Sequence, residues 1–82
     1  MDEVEIRRKI LYIIYDLNKI TQEYSVDSRD LKEKMDVSTE ELLSNVKYLE
    51  GDGYLELEEF LGNEFKAKIT PQGIKKVEKI RD

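Results

Sequence analysis

Val37-Ser38-Thr39-Glu40-Glu41-Leu42-Leu43-Ser44-Asn45-Val46-Lys47-Tyr48-Leu49-Glu50-Gly51-Asp52-Gly53-Tyr54-Leu55 carries a helix start, a buried stripe, a helix exit and the first residues of a strand in one continuous run. Ser38 followed by Glu41 is a capping box: a hydroxyl serves an orphan amide at the helix start, and a carboxylate reaches back to the cap. Leu42, Val46 and Leu49 fall within roughly 60° of one another at ~100° per residue, which makes one buried stripe. Gly51 and Gly53 offer positions where the chain can leave the helix with positive φ. Tyr54-Leu55-Glu56-Leu57-Glu58 then alternates, the pattern of a half-buried strand.

Upstream, Asp27 or Ser28 caps a short helix through about Met35, with Leu31 and Met35 inward at i, i+4. Asp36-Val37 is the turn into the next helix, which is helix-turn-helix spacing. Residues 3–19 read as a helix with apolar residues on two sides. Ile6, Ile10, Ile13, Ile14 and Leu17 share one face; Leu11, Tyr12 and Tyr15 lie largely on the other. Two apolar sides imply two partners. The second is either the C-terminal helix or another copy of the chain. Between these helices, Tyr24-Ser25-Val26 is compatible with a short strand.

Downstream comes a hairpin, with strands at about 54–60 and 64–69 and a tip around Leu61-Gly62-Asn63. A two-residue Gly-Asn loop would pair Glu56 with Ile69 and mix the two faces. A three-residue tip pairs Leu55 with Ile69, Leu57 with Ala67, Glu56 with Lys68 and Glu58 with Lys66. That register separates an apolar face from a charge-complementary one and is preferred. Thr70-Pro71-Gln72-Gly73 opens a last helix, with Thr as cap and Pro at a position that loses no hydrogen bond. Ile74, Val77 and Ile80 follow at i, i+3, i+6. The expectation is one α+β domain over residues 1–82: helix, short strand, helix, helix, strand, strand, helix.

Composition narrows the chemistry. The chain has no Cys and no His, so thiol nucleophiles, imidazole bases and zinc fingers are excluded. No Gly-rich phosphate loop is present, and the acids show no metal-ligand spacing. No enzyme activity, cofactor or metal is expected. The longest apolar run, Ile10 to Tyr15, is far short of a spanning helix, and no basic segment precedes a long apolar stretch. A soluble cytoplasmic chain with no membrane partner is the default. The net charge of −5 argues against a general nucleic-acid coat.

The chain resembles the winged helix-turn-helix superfamily across nearly its whole length. The residues that carry the resemblance are Leu31 and Met35, Val37-Ser38, the Leu42, Val46 and Leu49 stripe, Gly53-Tyr54-Leu55, and Ile69-Thr70-Pro71-Gln72-Gly73-Ile74. The last segment looks like the strand-to-helix exit of MarR-type and PadR-type prokaryotic regulators. The resemblance implies a three-helix core, a two-stranded β-hairpin wing and a C-terminal helix. It also implies a third helix that enters the major groove of double-stranded DNA, as in a transcriptional regulator. Carried over by position, Thr39, Glu40, Leu43, Ser44, Lys47 and Tyr48 face the groove, and Phe60 to Phe65 form the wing tip.

Charge pulls the other way. Glu40, Glu41, Glu50 and Asp52 oppose Lys47 alone in the third helix, and Glu56, Glu58, Glu59 and Glu64 outnumber Lys66 and Lys68 in the hairpin. Phosphate neutralisation supplies most non-specific DNA affinity, and these two elements offer little of it. Two readings follow. In the first, Arg29, Lys32 and Lys34 contact the DNA backbone beside Thr39, Glu40, Ser44 and Lys47, and a homodimer through Leu11, Tyr12 and Tyr15 reads two half-sites. In the second, the domain does not bind DNA and docks a protein through Leu43, Tyr48, Phe60 and Phe65. Phe60 and Phe65 either form such an apolar handle or fold back against each other or the first helix.

Overall fold

The computed structural model describes residues 2–20 and 25–81. Its element order is α1 (Glu3–Ile20), β1 (Val26–Asp27), α2 (Ser28–Lys34), α3 (Thr39–Gly51), β2 (Leu55–Glu59), a single 3-10 turn (Leu61–Asn63), β3 (Phe65–Ile69) and α4 (Pro71–Arg81). Four α-helices thus pack with a three-stranded antiparallel sheet of order β1-β3-β2.

Each helix starts where a side chain can serve its orphan amides. Asp2 accepts from the Glu5 amide at 2.9 Å at the head of α1. Asp27 accepts from the Arg29 amide at 3.0 Å at the head of α2. The capping box of α3 is complete, with the Glu41 amide donating to Ser38 Oγ at 3.1 Å and the Ser38 amide to Glu41 Oε1 at 3.4 Å. Thr70 Oγ1 accepts from the Gly73 amide at 3.0 Å and donates to the Gly53 carbonyl at 2.6 Å, which ties the start of α4 to the exit of α3. Caps of this kind contribute about 1 kcal/mol each. Gly53, at φ 83°, is where the chain turns out of α3. Gly51 does not share that task, since it still lies in the helix.

The hairpin register is Leu55↔Ile69, Glu56↔Lys68, Leu57↔Ala67, Glu58↔Lys66 and Glu59↔Phe65. The register preferred on face separation is therefore the one formed. The Phe60 amide donates to the Glu64 carbonyl at 2.8 Å and closes the three-residue tip. Gly62 (φ 75°) and Asn63 (φ 63°) take the left-handed conformation there, which Gly adopts freely and Asn tolerates. The short strand expected at Tyr24-Ser25-Val26 forms as Val26–Asp27 and pairs Val26 with Ala67; Tyr24 lies outside the described residues. Beyond β1 the Phe65 amide donates to the buried hydroxyl of Ser28 at 3.2 Å, so the edge of β3 stays satisfied where pairing ends.

One cluster of buried side chains fills the space between the helices and the inner face of the sheet. Ile6, Ile10 and Ile14 of α1 meet Leu42, Val46 and Leu49 of α3, with Leu31, Leu55, Ala67, Ile69 and Val77 around them. Two expectations are corrected here. Leu11 and Tyr15 are not available for a dimer contact: both are buried in the core, and α4 covers that side of α1. Tyr15 Oη donates to Glu78 Oε2 at 3.3 Å, and Arg81 stacks 4.3 Å over the half-buried Tyr12 ring. The second correction concerns Phe65, which is 1% exposed and one of the largest core side chains. It belongs to the inner face with Ala67 and Ile69 and is no partner anchor.

Candidate interaction surface

The outward side of α3 and the hairpin tip form the surface to which most of the candidate residues belong. At ~100° per residue, Leu43 and Tyr48 stand about 140° apart on α3, with Glu40 and Ser44 between them. Leu43 is half-buried against the core and Tyr48 is 55% exposed. Arg7 of α1 stacks 4.0 Å over the Tyr48 ring and donates to Asn45 Oδ1 at 3.2 Å. Tyr48 is thus held at the α1 edge of α3, and Lys47 stands at the hairpin edge.

Three of the four cations expected to meet phosphate have a partner within the chain, and Lys34 has none among the described residues. Lys47 Nζ lies 3.2 Å from Glu59 Oε1 across the gap between α3 and β2. Arg29 Nε stands 3.9 Å from Asp27 Oδ1 and 4.0 Å from Glu64 Oε1. The Lys32 ammonium donates to the Val37 carbonyl. The ion-pair contacts are solvent-exposed and individually weak, but they set the resting charge of the surface, and acids supply it. Thr39, Glu40 and Ser44 are exposed with no side-chain hydrogen bond among the described residues.

The nucleic-acid candidates do not form one site. Arg29, Lys32 and Thr39 line a concavity of about 190 Å³ between α2, the start of α3 and Gly62-Asn63 at the hairpin tip. Glu40, Ser44 and Lys47 lie outside it along α3. The four docking candidates divide as well: Phe65 is internal, and Leu43 and Tyr48 lie towards opposite edges of α3. Phe60, at the base of the tip, is 48% exposed.

Two residues acquire roles that sequence reasoning did not assign. Leu61, 94% exposed at the tip, is the most exposed large apolar side chain among the described residues. Periodicity is silent about a loop tip, so no pattern singled it out. Asn45 is fully buried; its Nδ2 donates to the Glu41 carbonyl at 2.7 Å while its Oδ1 takes the Arg7 proton. Its position about 60° from Leu42 on the helix wheel was the available signal.

Among the described residues no group of three acids is gathered as a metal site, and no helix is long and apolar enough to cross a membrane. Comparison with protein-family models, with curated proteins and with solved structures finds no match to this chain.

Proposed function

We propose that this chain is a winged-helix module that docks another protein through the outward side of α3 and the hairpin tip. The element order, the four-residue connection between α2 and α3, and a hairpin leading into a last helix support the winged-helix reading. The observation that carries the docking reading is the tip itself. Phe60 and Leu61 stand adjacent and exposed, half-buried Leu43 lies on the hairpin side of α3, and Glu58, Glu59 and Glu64 flank the pair. Single exposed apolar residues are ordinary. An adjacent Phe and Leu on a closed turn are not required by the core, and burying either one stabilises a complex by about 1.5–3 kcal/mol. Winged helices serve protein docking as well as DNA reading, so the site and not the fold decides between them.

The test is a double substitution, Phe60→Ser with Leu61→Ser, at positions that contribute nothing to the core. Capture of the partner on immobilised chain is expected to fall sharply while the thermal melt is unchanged. Unaltered capture by the folded variant overturns the reading.

One observation favours DNA as a second reading: Arg29, Lys32 and Thr39 converge on a single concavity beside the start of α3. A domain that uses it binds random duplex DNA at low ionic strength, loses that binding steeply as salt rises, and loses affinity on Arg29→Glu. Absence of binding at low ionic strength overturns this second reading.

A further inference from the structure

We infer that two copies of this chain associate by seating the hairpin tip of one in the cavity between α1 and α4 of the other. This rests on the docking reading of the tip and names its partner. The cavity, of about 370 Å³, offers the half-buried rings of Tyr12 and Tyr54 as its apolar surface, with Leu11 buried at its floor. Val4 and Ile80 on opposite banks are 56% and 42% exposed, so apolar surface extends beyond the floor. Three cations line it, Arg7, Arg8 and Lys76, against Asp52 as the one acid. Arg7 is engaged by Glu3 and Asn45, but Arg8 and Lys76 have no ion pair among the described residues. In a chain of net charge −5 this is a cationic, apolar recess.

Its complement on the same molecule is the hairpin tip: two exposed apolar side chains, Phe60 and Leu61, flanked by Glu58, by Glu59 in its exposed pair with Lys47, and by Glu64, whose contact with Arg29 is long at 4.0 Å. Apolar groups fill the recess while acids meet Arg8 and Lys76 at its rim, which combines burial with electrostatic complementarity. A chain cannot satisfy itself in this way. Tyr54 in the recess precedes β2, Phe60 follows it, and an extended strand of this length holds them about 20 Å apart. The contact joins unlike surfaces, so it either closes as a reciprocal dimer or extends head to tail.

The experiment is light scattering of the wild-type chain at high micromolar concentration, alone and with two variants. The recess variant is Arg8→Glu with Lys76→Glu; the tip variant is Phe60→Ser with Leu61→Ser. The wild type is expected to show a mass above one chain that falls with concentration and with added salt. Each variant alone weakens association about tenfold or more and retains its circular-dichroism melt. Mixed together, they regain a one-to-one complex, because one supplies an intact tip and the other an intact recess. A monomeric wild type, assembly that persists in either variant, or a mixture that stays monomeric overturns the inference. Should the recess variant melt early, Val4→Asp at the exposed bank replaces it. A monomeric wild type whose tip variant still loses capture of a different protein overturns self-association and leaves the docking reading standing. Loss of neither overturns both.

Discussion

Lys47 Nζ lies 3.2 Å from Glu59 Oε1, and this contact ties the only cation of α3 to the hairpin. Both side chains are about half exposed, so the pair adds little to stability. Its consequence is electrostatic: it cancels the one positive charge of α3 on the outward side of that helix. Glu40 and Glu64 remain around it.

Reversing that balance is expected to raise DNA affinity above that of the wild type. Glu59→Lys frees Lys47 and adds a cation at the α3–hairpin edge. Fluorescence anisotropy with a random labelled duplex at low ionic strength is expected to show little binding for the wild type and salt-sensitive binding for the variant. Strong wild-type binding under those conditions restores the DNA reading.

Phe60 and Phe65 are expected to respond in opposite ways to truncation. Phe65 is 1% exposed, so Phe65→Ala removes a large core side chain and costs about 3–5 kcal/mol. That is a large part of the total stability of a domain this small. Phe60→Ala is a surface change and is expected to stay within about 0.5 kcal/mol. Urea unfolding of the two variants checks the contrast. Similar midpoints would show that the inner face of the hairpin is wrongly assigned.

Gly73 is expected to tolerate no side chain. A methyl group there collides with the Tyr54 carbonyl oxygen and comes within 2.8 Å of Ile69 Cγ1. The Tyr54 carbonyl cannot yield easily, because it accepts from the Thr70 amide at 3.0 Å. Gly73→Ala is expected to cost about 1–3 kcal/mol, which lowers the melting temperature by several degrees or more. Gly51→Ala, with open space around it in the last turn of α3, is expected to be neutral or slightly stabilising. Thermal melts by circular dichroism separate the two.

The α1–α4 contact carries a pH dependence. Arg81 donates from Nη1 to Asp16 Oδ1 at 2.8 Å and from Nη2 to Oδ2 at 3.3 Å. The hydrogen bond from Arg81 holds the Asp16 carboxyl below its ordinary value, helped by the charges of Arg81 and Lys19 and opposed by partial desolvation. A carboxyl depressed by folding contributes stability that is present above the unfolded aspartate range and lost as pH falls through the folded value. Wild type is therefore expected to exceed Asp16→Asn in stability near neutrality, with the gap closing at acid pH. Denaturant midpoints at a series of pH values test this; a gap that is constant with pH would assign the effect to packing.

Much of the fold was legible because its determinants are local. The capping box at Ser38 and Glu41 needs only a three-residue spacing. The hairpin register needs only the period of two, which separates Leu55, Leu57, Ala67 and Ile69 from Glu56, Glu58, Lys66 and Lys68. The same period, extended back two residues from Ala67, places Phe65 inside as well. Asn45 was likewise within reach of the helix wheel.

Which residues share a face is written in the chain itself, because face membership follows from backbone periodicity along one element. What covers each face is not, because that depends on contacts between residues far apart in the chain. Leu11 and Tyr15 fitted either a second copy or α4 until Glu78 and Arg81 were placed against α1. Lys47 was a free recognition cation until Glu59 stood beside it. The recess joining Arg8 to Lys76 has no sequence signature, since its two banks lie at opposite ends of the chain and meet only when α4 packs on α1.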